Sequence, residues 1–185
     1  MFATRKKATT HDATKRTTEY ASASEFCQIF SKNMEALYTL ALSLTADKAS
    51  AEECLLSALD DCQKSASVFR QWAHSWSRLA VIESAIRMVK PSANGIAEEK
   101  YPPTNEIVEI VDSAGALLSK LRPFDRFTFV LSVLDRYSVR DCAILLKCRP
   151  MEIRRARERA MEFISKAGDL LAVPMPLGIS ARLTA

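Results

Sequence analysis

Apolar residues recur three and four positions apart along most of the chain, the spacing of helices that each bury one side. Ser22 and Glu25 have the spacing of a capping box, and Phe26, Ile29, Phe30, Met34, Leu37, Tyr38, Ala41 and Leu44 follow them. Together they predict one long helix over residues 23 to about 44. Residues 45–48 make a short break. Ser50 and Glu53 then predict the start of a second helix that holds Cys54, Leu55, Ala58, Leu59 and Cys62 on its inner side. A turn over 65–67 leads into a third series, Trp72, Trp76, Leu79, Ala80, Ile86 and Val89, which Pro91 stops. These helices make a first domain, residues 22–90.

The stretch 91–105 carries Pro, Gly, Asn and charge without periodicity and reads as a linker. Beyond it, Ile107, Ile110, Val111, Ala114, Leu117, Leu118 and Leu121 form a helix face. Pro123 opens a further helix through Phe127, Val130, Leu131 and Leu134. Residues 137–164 then predict two short helices around a tight turn. Ser138 and Asp141 cap the first, which buries Cys142, Ala143 and Leu146, and the turn spans residues 147–149. Pro150 begins the second, whose packed face is Ile153, Ala156, Ala160, Phe163 and Ile164. The expected fold is all-α: two small helical domains, 22–90 and 106–172, joined by a short linker, the second ending in a helix-turn-helix. Residues 1–21 and 173–185 read as tails. With only 4 glycines and no alternating β-branched run, strands have little support.

Charge sharpens this picture through its distribution more than its sum, a formal +4 over 185 residues. Acids collect at Glu52, Glu53, Asp60 and Asp61. Bases collect in the tail at Arg5, Lys6, Lys7, Lys15 and Arg16, and along the last helix. There the packed face leaves Arg149, Arg154, Arg155, Arg157 and Arg159 free to point outward, the composition of a helix laid in a DNA groove. A solvated face paired with Glu152, Glu158 and Glu162 is the plainer alternative. Trp72 and Trp76 match the apolar stripe and are placed in the core, with stacking on an unpaired base as the second reading.

Five cysteines without metal-ligand spacing read as reduced thiols, and no apolar run approaches the roughly 18 residues that span a bilayer. A cytoplasmic protein is expected. The basic, Thr/Ser-rich and acid-poor start also fits a transit peptide, although a disordered tail is the preferred reading. His74 has no partner at useful spacing, and no nucleophile, phosphate loop or metal cluster can be assembled. Neither an enzyme nor a cofactor is expected.

Residues 121–159, LRPFDRFTFVLSVLDRYSVRDCAILLKCRPMEIRRARER, resemble region 4 of the sigma-70 family, of the extracytoplasmic-function (ECF) type. The likeness lies in a leucine-proline turn, a helix rich in Phe, Val and Leu, a Tyr-Ser cap and a basic final helix, in that order. Residues 37–62, with Phe69, Arg70, Trp72, Arg78 and Ala80, are similar to region 2. The resemblance implies a sigma factor that directs RNA polymerase core to promoter DNA, with an anti-sigma regulator as a further partner. It implies DNA contacts from Arg140, Arg149, Glu152, Arg154, Arg155, Arg157, Arg159 and Arg78, and polymerase contacts from Glu52, Glu53, Leu56, Ser57 and Asp60. The chain departs from the family at Leu56 and Ser57, where polar residues usually face the polymerase clamp. It departs again at Val81 and Ile82, where Arg and Asn usually serve the melted strand. These departures leave a second expectation, a sigma-derived DNA-binding or protein-interaction regulator that no longer supports initiation. In the turn, Lys147 stands where the family has glycine.

Overall fold

The computed structural model describes residues 19–65, 68–93 and 114–172, with side chains from 116 to 167 in the last segment. The tail before residue 19, most of the expected linker, the helix face at 107–111 and the tail from 173 lie outside the described residues. Those that are described are all-α, and their single extended pairing is an isolated antiparallel bridge between Tyr20 and Phe69. The chain divides into two compact units between Ser92 and Ala93.

The first unit contains α1 (Ala23–Lys32), α2 (Met34–Thr45), α3 (Lys48–Lys64) and α4 (Ala73–Val89), the last preceded by one 3-10 turn, Arg70–Trp72. The capping box at Ser22 and Glu25 forms as the spacing predicts, with the serine hydroxyl accepting from the Glu25 N–H and the carboxylate accepting from the Ser22 N–H. Glu25 Oε1 also lies 2.5 Å from Arg70 Nε, tying this helix start to the 3-10 turn.

The single long helix expected over 23–44 is in fact two. Asn33 ends α1: its backbone N–H donates to Ile29 O at 3.0 Å, and its side-chain amide donates to the same oxygen at 2.8 Å. An asparagine that bonds the backbone in this way competes with helix continuation, and periodicity does not see it. The start of α3 also differs from the expectation at Ser50. Asp47 is the cap, its carboxylate accepting from the Ser50 N–H at 2.8 Å, so the helix begins at Lys48.

Helix α3 packs on α2 and α4, and α1 packs against both α3 and α4. Cys54, Leu55, Ala58 and Cys62 are buried as expected. On α4 the inner face is Ala73, Ser77, Ala80, Val81, Ser84 and Ala85, together with Ile82. Small side chains there let α4 approach its neighbours closely, and Cys54 Sγ donates to the Val81 carbonyl at 3.3 Å. The placement of Trp72 and Trp76 in the core is therefore corrected: they are 55% and 39% exposed. Trp72 belongs to the 3-10 turn before α4, and the inner stripe of small residues on α4 runs along a different side from Trp76.

Among the described residues of the second unit, the first helix is α5 (Ala114–Ser119). Then comes α6 (Pro123–Phe129), which opens at Pro123 and runs on as a π turn, Val130–Leu134. Helices α7 (Val139–Leu145) and α8 (Pro150–Ala172) complete it. Leu117 and Leu121 pack with Ala160, Phe163 and Ala167, so α8 carries one wall of this core.

Candidate nucleic-acid interface

The α7–α8 pair is positioned by short-range chemistry at each end. Ser138 Oγ accepts from the Asp141 N–H at 3.1 Å, which starts α7 where the sequence predicts. The helix closes by turning left-handed: Lys147 takes φ 51°, and the Cys148 N–H reaches back to Ala143 O at 3.0 Å. A left-handed residue with a Cβ costs on the order of 1 kcal/mol, and glycine would avoid that cost. Helix α8 then starts at Pro150, and Glu152 in its first turn reaches back to the residue before it. The Glu152 carboxylate accepts from the Arg149 N–H at 2.7 Å and from the Arg149 guanidinium at 3.3 Å. The backbone N–H of Arg149, more than its charge, holds the Glu152 carboxyl below the usual glutamate range.

Beyond this start, α8 has two sides. Ile153, Ala156, Ala160 and Phe163 are buried, as their spacing predicts. Arg154 and Arg155 are exposed on the other side and have no hydrogen-bond or ion-pair partner among the described residues. Of the glutamates in the alternative reading, Glu152 bonds Arg149 and also lies in the field of Arg155, Glu162 pairs with Lys166 at 2.6 Å, and Glu158 is exposed one turn from Arg154 and Arg155 without a hydrogen bond to either. Arg140 on α7 and Arg149 in the turn are also exposed, and Arg157 is half-buried on the flank.

Arg159 does something else. The outward orientation expected for it is corrected: its Nη2 and Nε donate to Asp125 at 2.5 and 3.2 Å. Asp125 is 1% exposed and also accepts from Arg122 at 2.6 and 3.0 Å. A buried carboxylate requires such partners, since an unpaired charge in a core carries a desolvation cost of several kcal/mol. The neighbouring Arg126 is buried too, and its guanidinium donates to Leu121 O at 3.1 Å. Asp125 therefore pins α8 to α6, one turn beyond the exposed Arg154 and Arg155. The spacing rules did not find this hub. The available signal was an aspartate set among Phe124, Phe127 and Phe129, a charge that an apolar run can hold only if it is paired.

In the first unit, Glu52, Glu53, Leu56 and Asp60 line the outer side of α3, with Leu56 69% exposed among the acids. Ser57 is half-buried and accepts from Arg87, which also pairs with Asp61 at 2.5 Å. Asp60 pairs with Lys64. Arg78 is half-buried on α4, and the neighbouring Val81 and Ile82 lie wholly inside. On the surface, Tyr20 stacks on Phe69 with ring centroids 4.9 Å apart, and Trp72 meets Phe69 edge-on at 5.2 Å. This aromatic cluster joins residues far apart in the chain, so helical periodicity could not reveal it. His74 Nε2 lies 3.3 Å from Asn33 Oδ1, bridging α4 to the break between α1 and α2.

All five cysteines are free thiols. Burial raises the Cys62 and Cys142 thiols to about 11. Among the described residues no group of His, Cys, Asp and Glu is arranged to hold a metal ion, and no helix is long and apolar enough to cross a membrane. No protein-family model, curated protein or solved structure matches the chain.

Proposed function

We propose that the chain is an ECF-type sigma factor, which directs RNA polymerase core to promoter DNA and performs no covalent chemistry. In this reading the two units act as sigma regions 2 and 4. The α7–α8 pair is a DNA-reading helix-turn-helix, and α8 lies in the major groove of an upstream promoter element. The observation that carries the proposal is the exposed arginine face of α8, whose Arg154 and Arg155 lack partners among the described residues. Exposed guanidinium groups that make no hydrogen bond or close ion pair within the fold are suited to phosphates and guanine edges. The acidic outer face of α3 around Leu56 would take the polymerase, and the Tyr20, Phe69 and Trp72 cluster offers stacking faces to unpaired bases.

One observation favours a second reading, a sigma-derived regulator that binds DNA without supporting initiation. Val81 and Ile82 are buried, so neither presents a side chain to a melted strand. Reconstitution of the chain with bacterial core polymerase separates the two. Run-off transcription that requires the chain is the expected outcome. Core binding without transcripts would establish the second reading, and failure to bind core at all would remove the sigma assignment.

A further inference from the structure

Between Ile153 and Phe163 the only fully buried residues of α8 are Ala156 and Ala160. Their methyl groups allow close packing but give little purchase against rotation of the helix about its own axis. Within this span sits Arg159, whose Nη2 and Nε donate to the two oxygens of Asp125 at 2.5 and 3.2 Å. The carboxylate is not free to follow a turning helix. It is 1% exposed, it also accepts from Arg122, and Phe124, Arg126, Phe127 and Thr128 are buried around it on α6. Arg126 bonds the Leu121 carbonyl, and Leu121 packs in turn with Ala160 and Phe163. Asp125 is thus a fixed point against which α8 is set.

A buried ion pair is weak evidence of stability, because a well-packed apolar set in its place is often as stable. What it adds is a directional bond. That direction is felt one turn away, where the exposed Arg155 and Arg154 lie four and five residues before Arg159. A rotation of about 20° moves a side chain roughly 5–6 Å from the axis by about 2 Å, whereas hydrogen-bond lengths span a window of only about 0.5 Å. General attraction between guanidinium groups and phosphates survives such a shift, but bonds that must meet fixed atoms do not. Resting on the DNA-binding reading above, we propose that Asp125 is a positioning residue: through Arg159 it sets the rotation of α8, and so where Arg154 and Arg155 meet a duplex, without touching DNA itself.

The test uses the full chain, a duplex site that the wild type enriches from a random pool, and a random-sequence duplex of equal length. Arg159→Lys keeps the charge but loses the two-pronged bond, and Asp125→Asn keeps the shape while removing a negative charge. By charge alone the first should bind DNA as the wild type does and the second more tightly. Positioning requires instead that each lowers the preference for the enriched site over the random duplex about five- to tenfold, the cost of one weak base contact, while affinity for the random duplex holds or rises. In an Arg154→Ala, Arg155→Ala background, Arg159→Lys should lower the preference no further. Melts followed by circular dichroism set a temperature at which the variants are folded, and if Asp125→Asn does not fold, Arg159→Lys decides alone, since Arg122 still holds the carboxylate there. An unchanged preference overturns this inference and leaves the DNA-binding reading standing. A parallel loss on both duplexes does the same, because it marks a merely structural role. A wild-type chain that enriches no site overturns both.

Discussion

Helices α3 and α8 are built on the same plan and face outward with opposite charge. Each buries small and medium apolar residues on one side, Cys54, Ala58 and Cys62 in α3 and Ile153, Ala156 and Ala160 in α8. Outside, α3 shows Glu52, Glu53 and Asp60 around Leu56, while α8 shows Arg154 and Arg155 beside Met151. They differ most in how they are held. Apolar packing holds the inner side of α3, and the ion pairs Asp60–Lys64 and Asp61–Arg87 lie on its exposed side. Helix α8 is fastened through an ion pair that reaches into the core at Asp125. Packing alone resists separation of two helices but leaves their rotation soft. A bidentate guanidinium–carboxylate pair also fixes orientation. On the proposed reading, a helix whose outer arginines meet a periodic ligand would gain more from that restraint than one offering a diffuse acidic face.

The largest expected effect comes from removing the Asp125 partners. Replacing both Arg122 and Arg159 with alanine removes two guanidinium partners from the buried Asp125 carboxylate and should destabilise the second unit by about 3–5 kcal/mol in chemical denaturation. Arg159→Ala alone, with Arg122 still in place, should lose about 1.5–3 kcal/mol. Equal losses from the single and double variants would show that the pair does not act as described.

Next comes the charge contrast itself. If Arg154 and Arg155 each neutralise a phosphate, their double alanine variant should flatten the dependence of log affinity on log salt by about 0.9 per contact. Glu52→Gln with Glu53→Gln should leave that slope unchanged while altering core-polymerase binding. An unchanged slope in the arginine variant would remove α8 from the interface.

Smaller effects test the helix ends. Ser138→Ala removes the α7 cap and should lower stability by about 1 kcal/mol. At α8 the depressed Glu152 carboxyl predicts a contribution that is present above the normal glutamate value of about 4.3 and is lost as pH falls below it. The stability of Glu152→Gln should therefore depend less steeply on acid than that of wild type in this range.

The smallest contrast lies among the thiols. Burial favours the neutral form of Cys62 and Cys142, so their contribution is full below about 8.5 and declines as pH rises toward about 11. Mass spectrometry after brief alkylation at neutral pH should find exposed Cys27 modified first, and Cys62 and Cys142 only after unfolding. Early labelling of Cys62 would indicate that the α3 packing opens readily.

The local alphabet determined much of this protein. Helical spacing placed the buried sides of α3, α7 and α8. Short polar signals marked the caps at Ser22 and Ser138 and the proline starts of α6 and α8, because each of these acts within about one turn of chain. The same rules failed where partners lie far apart. Asn33 divided a periodic run through a side-chain bond to the backbone. Trp72 and Trp76 went to the surface because close approach of α4 favoured its small residues, and only the packed neighbours decide which stripe of a helix turns inward. Arg159 and Arg154 are the same residue type on one helix, yet one is bound to a buried carboxylate and the other is exposed. Spacing alone did not assign Arg159 the inward role, because its partner, Asp125, comes from another helix and is brought within hydrogen-bonding distance by the tertiary fold.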